Sequence, residues 1–317
     1  MLTADEVESE PLTKEEDALF VHGFINVLKP PGMSSSDVVV TLRRMLPRGT
    51  RVGHAGTLDP EAAGVLPIMV GKAARLFAYL VDKEKAYVAA LRLGAVTDTR
   101  DAQGAVLGCS PARPTDAEIC AALPRFVGEI WQTPPAFSAL KRDGKRLYAL
   151  ARAGEDVRVE PRRVVVYDVA MERRLGEDEA LLTVRCGKGT YIRSLCHDIG
   201  EALGCGAHMG FLLRTQSGMF TLENAVALEE IQSVSDLAAR LLPMDAPLQH
   251  LPMVRALPAA TASCLNGNPL RAAQVEGGLP EAEGPLRVYV GEAFAGIGRR
   301  RGDAVAFDAM LLERENK

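Results

Sequence analysis

The segment from residue 51 to residue 67 places a histidine and a carboxylate in a stretch rich in glycine. His54 and Asp59 stand five positions apart in it. Three glycines frame these two residues, namely Gly53, Gly56 and Gly64. Glycine allows backbone conformations and close ligand contacts that other residues forbid, and loops on a rigid scaffold often carry catalytic groups. The glycines and prolines predict a shaped, candidate reactive loop along the whole segment.

Asp59 has two roles open to it. It precedes Pro60, which restricts the backbone of Asp59 to extended conformations and so fixes the direction of the carboxylate. In a structural role, Asp59 caps a short helical turn that starts at Pro60. In a chemical role, the carboxylate faces a cleft and reacts, and a cap that faces a cleft can do both. No second acid is marked in the same way, so the sequence does not point to the facing carboxylates of a glycosidase.

A second glycine-containing loop, Lys188-Gly189-Thr190, precedes a predicted helix. A P-loop needs a glycine where this chain has Leu182, which argues against a mononucleotide cofactor. A glycine loop at a helix start can still meet a phosphate or orient a carboxylate. Arg193, at the start of that helix, fits either an ordinary surface position or a pair with a buried aspartate that keeps the aspartate ionised.

Aromatic residues make up 5% of the chain. Tyr87 and Tyr191 stand at the starts of predicted elements, where each ring can stack on a base or pack into the core. The five histidines show no metal-ligand spacing, and the six cysteines form no C-x-x-C pair. The sequence therefore predicts no metal site, and it predicts reduced thiols, as in a cytosolic protein.

The chain has 317 residues, of which 47% are hydrophobic and 25% are charged. This length predicts about two domains, and the composition is typical of a soluble globular protein. No apolar run is long enough to span a membrane, and the N-terminus lacks the basic and apolar regions of a secretory signal. Residues 1–20 carry seven acidic side chains and one lysine, which predicts an acidic disordered tail.

Positive charge is concentrated in three islands although the net charge is −4. The first island has four arginines and no acid between Val38 and Leu58, namely Arg43, Arg44, Arg48 and Arg51. The second lies between Lys141 and Arg163, and the third is Arg299-Arg300-Arg301. Such islands fit the footprint of a polyanion, although solvated surface arginines are the ordinary alternative.

Hydrophobic patterning predicts a mixture of strands and helices. Strands are predicted at residues 23–28, 87–93, 164–170 and 180–186. Helices are predicted at residues 116–127 and 191–203, and at 37–46, where Val-Val-Val fits a strand equally well. The alternation of predicted strands and helices is interrupted at residues 132–160, whose basic composition predicts a surface insertion. The proline-rich residues 243–253 predict a connection to a small β-rich module.

Seven segments of the chain, in this order, resemble the bacterial tRNA pseudouridine-55 synthases, which share a superfamily with the guide-RNA-dependent dyskerin-type enzymes. The segments are GFINVLKPPGMSSSD (23–37), GHAGTLDPEAAGVLP (53–67), KAY (85–87), LGAVTDTRD (93–101), PPAFSALKRDGKRLY (134–148), GKGTYIRSL (187–195) and LGCGAHMGFLL (203–213). The GTLDP-containing segment is the most specific of them. The C-terminal module resembles the RNA-binding PUA-type domain more weakly.

The resemblance implies an α+β fold. A catalytic domain with a mixed, largely antiparallel sheet flanked by helices and loops is followed by a small C-terminal β-rich, PUA-like domain. Residues 1–20 then form the tail, and residues 21–248 form the catalytic domain with an RNA-contacting insertion at about 132–160. Residues 249–317 form the PUA-like RNA-binding domain.

The resemblance also implies a reaction, the isomerisation of uridine 55 in the T loop of tRNA to pseudouridine. The N1–C1′ glycosidic bond breaks, the uracil turns, and C5 bonds to C1′. The implied partner is the T arm of tRNA, with no cofactor, no metal, no membrane and no obligate protein partner, in the cytoplasm. Two other functions stay open: a guide-RNA-dependent pseudouridine synthase that needs protein partners, and a non-catalytic tRNA-binding chaperone.

The resemblance implies a role for each site residue. Asp59 is the catalytic aspartate, acting as nucleophile or as base on the ribose, Arg193 pairs with it, and Tyr87 stacks on the flipped uracil. Three further residues complete the substrate site: His54 fills the space that the extruded base leaves, Tyr191 lines the pocket, and Leu212 supplies an apolar wall. Four residues of the insertion contact RNA, namely Lys141, Arg142, Lys145 and Arg146. A base inside a folded loop must be flipped out to be reached, so a wedge residue and an aromatic platform fit this chemistry.

Overall fold

The computed structural model describes residues 21–80, 83–138, 141–142, 145–146, 159–281 and 283–312. The predicted acidic tail and most of the predicted insertion lie outside the described residues. The strands are β1 Gly23–Lys29, β2 Val52–His54, β3 Ala63–Val70, β4 Lys85–Leu93, β5 Ala95–Thr97, β6 Val106–Cys109, β7 Gly128–Gln132, β8 Lys141–Arg142, β9 Lys145–Arg146, β10 Arg162–Arg174, β11 Glu179–Cys186, β12 Ala207–Ser217, β13 Phe220–Thr221, β14 Val226–Ala227, β15 Met253–Ala256, β16 Leu270–Arg271, β17 Pro285–Val290, β18 Ala293–Arg301 and β19 Ala304–Met310. The α-helices are α1 Ser35–Arg44, α2 Asp116–Ala122, α3 Ile192–Ala202, α4 Val234–Ala239 and α5 Thr261–Leu265. Short 3-10 helices lie at Gly71–Tyr79, Leu123–Phe126, Leu222–Asn224, Leu228–Glu230, Ala246–Leu248, Pro258–Ala260 and Ala272–Gln274.

A ten-stranded sheet forms the body of the chain, and its main path runs β14-β1-β3-β12-β4-β11-β10-β7. In addition, β2 pairs with β3, and β13 pairs with β12. Within the described part of the chain, the parallel pairings of this sheet are β1–β14 and β12–β3, and its other pairings are antiparallel. The predicted α+β fold with a mixed, largely antiparallel sheet is confirmed.

Strand β12 occupies the centre of this sheet, between β3 and β4, and sequence patterning did not predict it. Its pairing with β4 shifts register twice, between Met209 and Phe211 and between Arg214 and Gln216. Each shift interrupts the alternation of apolar and polar residues that signals a strand. The strand also carries buried polar side chains, including Arg214, which hydrophobic patterning does not count as core.

Helix α1 settles the choice between helix and strand for residues 37–46. The hydroxyl of Ser34 accepts the backbone N–H of Asp37 at 3.1 Å, and the Asp37 carboxylate accepts the backbone N–H of Ser34 at 2.9 Å. This capping box satisfies donors at the start of the helix. Val38 and Leu42 are fully buried in the core shared with β1 and β3. The cap and the apolar stripe outweigh the strand preference of the three valines.

The shaped loop predicted for residues 51–67 is wrong at both ends, because β2 and β3 occupy its flanks. Pro67 fits within β3, although proline cannot donate to a ladder. The carbonyl of Pro67 accepts the N–H of Ala55 at 2.9 Å, so the proline nitrogen faces the same side, away from the ladder with β1. Residues 55–62 alone form the loop between the two strands.

The C-terminal part is a five-stranded sheet in the order β15-β17-β18-β19-β16, which confirms the predicted β-rich module. Its own core includes the buried residues Val254, Leu286, Val288 and Val305. Another apolar cluster joins this module to the large sheet and contains Phe24, Leu76, Leu248, Ile297 and Leu311. The module is therefore packed on the body rather than tethered to it. Among the helices of the described residues, none has the length and apolar character needed to cross a bilayer.

Candidate active site

A cleft of about 330 Å³ opens between the β2–β3 loop, the start of β4, the middle of β12 and the segment that leads into α3. Its lining includes Asp59, Tyr87, Tyr191, Arg193, Leu212 and Arg214. The structure thus brings together five of the six substrate-site residues predicted from the sequence. His54, the sixth, does not line the cleft.

Asp59 and Arg193 form a bidentate ion pair. Nε of Arg193 lies 3.0 Å from Oδ2 of Asp59, and Nη2 lies 3.1 Å from Oδ1. The Arg193 side chain is 7% exposed and that of Asp59 is 36% exposed, so the carboxylate reaches the cleft while the guanidinium is buried behind it. Parallel N–H···O contacts of this kind fix the plane of a carboxylate as well as its position. The sequence allowed either a surface position for Arg193 or a pair with an aspartate, and the structure shows the pair with Asp59.

The loop is clamped on both sides of Asp59. On one side, the Ser35 hydroxyl accepts the N–H of Leu58 at 2.8 Å and donates to its carbonyl at 3.1 Å. On the other side, the carbonyl of Pro60 accepts a hydrogen bond from the buried Lys29 ammonium at 2.9 Å. The helical turn expected after Pro60 is wrong, since a tight turn from Asp59 to residue 62 takes its place. Asp59 therefore has no helix to cap, and its side chain is free to face Arg193.

All five N–H groups of the Arg193 guanidinium have acceptors. Besides Asp59, Nη1 contacts Oδ2 of Asp101 and the carbonyl of Thr99, each at 3.3 Å. Nη2 also donates to the carbonyl of Phe137 at 3.0 Å. Because every N–H of the guanidinium has an acceptor, Arg193 is held in one geometry. Asp101 is a second carboxylate that contacts the same cation.

Burial raises the pKa of Asp59 above its ordinary value. The charge and hydrogen bonds of Arg193 oppose this rise, as does the charge of Lys29, whereas Asp101 adds to it. Burial also lowers the pKa of Lys29 to about 8. The protonation state of Asp59 thus depends on the balance between a desolvated site and the guanidinium that faces it.

Tyr87 lies beside the loop on β4 and is 8% exposed. Burial raises its pKa to about 12 despite the opposing positive charge of Arg214, so the ring carries a neutral hydroxyl. Arg214 is fully buried and donates through Nε to Val65 O at 2.7 Å and through Nη2 to Gly56 O at 3.1 Å. One buried guanidinium therefore holds the start of the reactive loop and places a positive charge near the tyrosine.

Tyr191 and Leu212 form the remaining walls. The backbone of Tyr191 is held by the amide of Gln132, which donates to its carbonyl at 3.1 Å and accepts its N–H at 2.7 Å. The guanidinium of Arg162 stacks 5.0 Å from the centre of the Tyr191 ring. Leu212 is 7% exposed and adds an apolar surface. The cleft thus combines charged groups with aromatic and aliphatic walls.

His54 ends β2 at the entrance to the loop and is half-buried. Burial lowers its pKa, and the positive charge of Arg214 lowers it further, which favours the neutral imidazole. Its buried Nδ1 has no hydrogen-bond partner within the described ranges. Its predicted role as the residue that fills the space of an extruded base stays a prediction.

The four predicted RNA contacts of the insertion lie on β8 and β9, which pair antiparallel with each other. Their predicted contact with RNA is not tested by this pairing. In the described ranges, no group of His, Cys, Asp and Glu side chains is arranged to hold a metal ion. A larger cleft of about 500 Å³ is lined by Ala55, Lys83, Phe220 and His250 among others, and none of the described residues in its lining carries a carboxylate.

Three residues that support the site were missed by sequence reasoning, namely Lys29, Asp101 and Arg214. Lys29 and Asp101 stand within segments that carry the family resemblance, in KPPG and in TDTRD. Their place in these family-like segments could have identified them as candidate site residues. Arg214 lies just after the last such segment and in a strand that patterning did not predict.

Family models match nearly two-thirds of the chain. The TruB family pseudouridylate synthase (N terminal domain) matches residues 43–192, and the tRNA pseudouridylate synthase B C-terminal domain matches residues 193–249. These matches place the chain in the class of the pseudouridylate synthases. The predicted class of enzyme, an isomerase, is confirmed.

Curated relatives and solved structures agree. The tRNA pseudouridine synthase B of Alkaliphilus oremlandii is 42% identical over 89% of this chain and 94% of its own length, and that of Cupriavidus metallidurans is 44% identical over 90% and 92%. A Cbf5-Nop10-Gar1 complex contains a chain with a TM-score of 0.70 and 28% identity, covering 92% of this chain and 86% of that one. The chain belongs to the TruB family of pseudouridylate synthases, as its sequence segments predicted.

Proposed function

We propose that this chain isomerises uridine 55 in the T loop of tRNA to pseudouridine. The observation that carries the proposal is the bidentate Asp59–Arg193 pair, which faces a cleft shared with Tyr87. Relatives named tRNA pseudouridine synthase B, at 42% and 44% identity over most of the chain, support tRNA as the substrate.

In the proposed reaction, the ionised Asp59 carboxylate acts on the ribose as the N1–C1′ bond breaks, either as a nucleophile at C1′ or as a base. The released uracil turns, C5 bonds to C1′, the proton on C5 leaves, and N1 carries a proton in the product. Substrate and product have the same atoms, so no oxidant or second substrate is consumed. Arg193 keeps Asp59 ionised, because a desolvated carboxylate without a cation takes up a proton.

The aromatic and apolar walls bind the extruded base. Tyr87 stacks on the uracil, Tyr191 and Leu212 line the remaining sides, and His54 fills the space that the base leaves in the RNA. Stacking of a base on an aromatic ring contributes about 1–3 kcal/mol, which offsets much of the cost of flipping. Contacts that form only after the base has left the RNA stack therefore offset the free-energy cost of flipping it out.

The wider RNA contacts of the proposal are the insertion and the C-terminal module. The T arm is contacted by Lys141, Arg142, Lys145 and Arg146, and the module acts as a PUA-like RNA-binding domain.

We expect Lys141→Ala with Lys145→Ala to weaken binding and to reduce the slope of affinity against salt by about one unit per lost phosphate contact. An unchanged slope would remove the insertion from the interface. A cytoplasmic location and independence from protein partners complete the proposal.

One assay separates this function from its two rivals. The purified full chain is incubated with an unmodified T-arm stem–loop that carries C5-tritiated uridine at position 55, with and without a metal chelator. We expect tritium release and pseudouridine at that position with no added protein or RNA. A requirement for guide RNA or protein partners supports the guide-dependent rival, and binding without any isomerisation supports the chaperone.

A further inference from the structure

An exposed group of four arginines lies at the end of α1 and in the segment that leads into β2, and it has no part in the proposed reaction. The arginine patch is defined here as Arg43, Arg44, Arg48 and Arg51. All four side chains are exposed, and none of them forms an ion pair or a hydrogen bond with another described residue. The chain has no acidic residue between Val38 and Leu58, so nothing in this stretch neutralises the patch.

The backbone beneath the patch is fixed. Arg48 lies in a tight turn closed by a hydrogen bond from Thr50 N–H to Pro47 O at 3.1 Å. The carbonyl of Arg51 accepts the N–H of Gly71 at 2.7 Å, immediately before β2 begins. The guanidinium groups therefore project from a rigid surface, which reduces the entropy lost when they bind a ligand.

The helix dipole accounts for only part of the patch. Arg43 and Arg44 lie in the last turn of α1, where cations interact favourably with the helix C-terminus. Arg48 and Arg51 lie beyond the helix, and the dipole effect falls off within the last turn. Guanidinium groups match phosphate oxygens in a bidentate manner, so a run of phosphates is the partner that suits all four positions.

The patch lies at the end of β3 that is remote from the cleft. The carbonyl of Arg51 accepts the N–H of Gly71, just after β3 ends, whereas Gly64 near the start of β3 pairs with Arg214, which lines the cleft. Seven residues of extended strand correspond to about 23 Å. The segment that leads into the predicted insertion lies at the cleft itself, because the carbonyl of Phe137 accepts a hydrogen bond from Arg193. RNA that fills the cleft and follows the insertion therefore leaves the patch to a more distant part of the same RNA.

We infer that the arginine patch binds the phosphate backbone of tRNA outside the T arm. The inference rests on the proposed function, in which the T-loop uridine enters the cleft and the insertion holds the T arm. In folded tRNA the T loop packs against the D loop, so RNA of a second arm lies close to the T loop and can reach the patch. Phosphate contacts fix the orientation of the bound RNA without reading its sequence, and their strength depends on salt.

The test compares two RNAs on matched variants of the full chain. The variants are Arg43→Ala with Arg44→Ala, Arg48→Ala with Arg51→Ala, and all four together. The control is Arg125→Ala with Arg173→Ala, which removes two exposed arginines on other elements. Affinity for unmodified full-length tRNA and for the T-arm stem–loop is measured across a salt series, and isomerisation is measured on the stem–loop.

We expect the fourfold variant to bind full-length tRNA at least about tenfold more weakly, with a salt slope reduced by about 2 to 4 units. Stem–loop affinity and isomerisation stay at the wild-type level, as does the control on both RNAs. Unchanged affinity for full-length tRNA overturns the inference. So does an equal loss on both RNAs, which would assign the patch to the T arm, or a loss that the control reproduces. Failure of the wild-type chain to isomerise either RNA instead counts against the proposed function.

Discussion

Two charge clusters in the molecule contain the same groups in inverted proportions. In the cleft, Arg193 lies between Asp59 and Asp101, and on the C-terminal module, Asp308 lies between Arg299 and Arg301. The N–O distances span 3.0 to 3.3 Å in the first cluster and 3.2 to 3.3 Å in the second. Exposure differs: the central group is 7% exposed in the cleft and 18% exposed on the module, and the flanking groups are 36% and 16% exposed in the cleft against 42% and 67% on the module.

Burial, rather than distance, therefore sets what each cluster can do. Water screens the pairs of the module, and exposed pairs of this kind contribute about 0–1 kcal/mol to stability. In the cleft, the three groups have lost much of their solvent, so removal of one leaves the others with an uncompensated desolvation cost. A cluster whose members depend on each other in this way can hold a carboxylate ready for reaction.

The largest expected effect comes from removing the central cation of the cleft. Arg193→Met takes both the counter-charge and the bidentate contact from Asp59, and we expect isomerisation to fall by about 10²-fold or more. The matched control is Arg301→Met on the module, which should leave the rate unchanged. Single-turnover kinetics on saturating RNA measure both. Comparable losses in the two variants would contradict the distinction between the clusters.

Loss of the aromatic wall should have the next largest effect. Tyr87→Leu removes a stacking surface worth about 1–3 kcal/mol per base, which corresponds to a loss of roughly 5- to 150-fold in kcat/KM. Tyr87→Phe keeps the ring and removes only the hydroxyl near Arg214, so its loss should be smaller. Steady-state assays on the stem–loop give the order. If phenylalanine proves as damaging as leucine, the ring does not act by stacking.

The pH profile tests how the two carboxylates share Arg193. Asp101 raises the pKa of Asp59 and Arg193 lowers it. Because the reaction requires ionised Asp59, activity is lost as pH falls through that pKa. Asp101→Asn should therefore move the acid limb of kcat/KM to lower pH, and Arg193→Met should move the limb of the residual activity to higher pH. If the acid limb of kcat/KM moved in the same direction in both variants, it would report the titration of a group other than Asp59.

The smallest expected effect lies on the module. Asp308→Asn removes the shared partner of Arg299 and Arg301, both largely solvated, and should lower the free energy of unfolding by no more than about 1 kcal/mol. Denaturant titration measures the change, and the isomerisation rate should not move. A loss of several kcal/mol would mean that this cluster is as interdependent as the one in the cleft.

The reactive residues were predictable because they stand in short, specific segments. Asp59 and Arg193 lie in GTLDP and TYIRSL, and their chemical types already suggested a carboxylate held by a guanidinium. Their pairing across 134 positions could not be derived from spacing. It depends on β12, which brings the β2–β3 loop beside β4 and which patterning failed to predict because of its two register shifts.

The groups that hold the reactive residues in position were harder to predict. Lys29 and Arg214 are buried and donate hydrogen bonds to backbone carbonyls. Every residue has a backbone carbonyl, so the residue types in the sequence do not show which one accepts such a bond. Asp101 acts through a cation that it shares with Asp59. Such roles exist only once distant segments have been packed together, so a single sequence contains no local pattern for them.

Replacement of the carboxylate oxygen by an isosteric amide tests the central claim most directly. Asp59→Asn keeps the shape of the side chain and removes its charge, and we expect a loss of about 10³-fold or more in pseudouridine formation. Affinity for unmodified tRNA, measured on the same preparation, should stay within a few-fold of the wild type. Pseudouridine formation at the wild-type rate in Asp59→Asn would contradict the account.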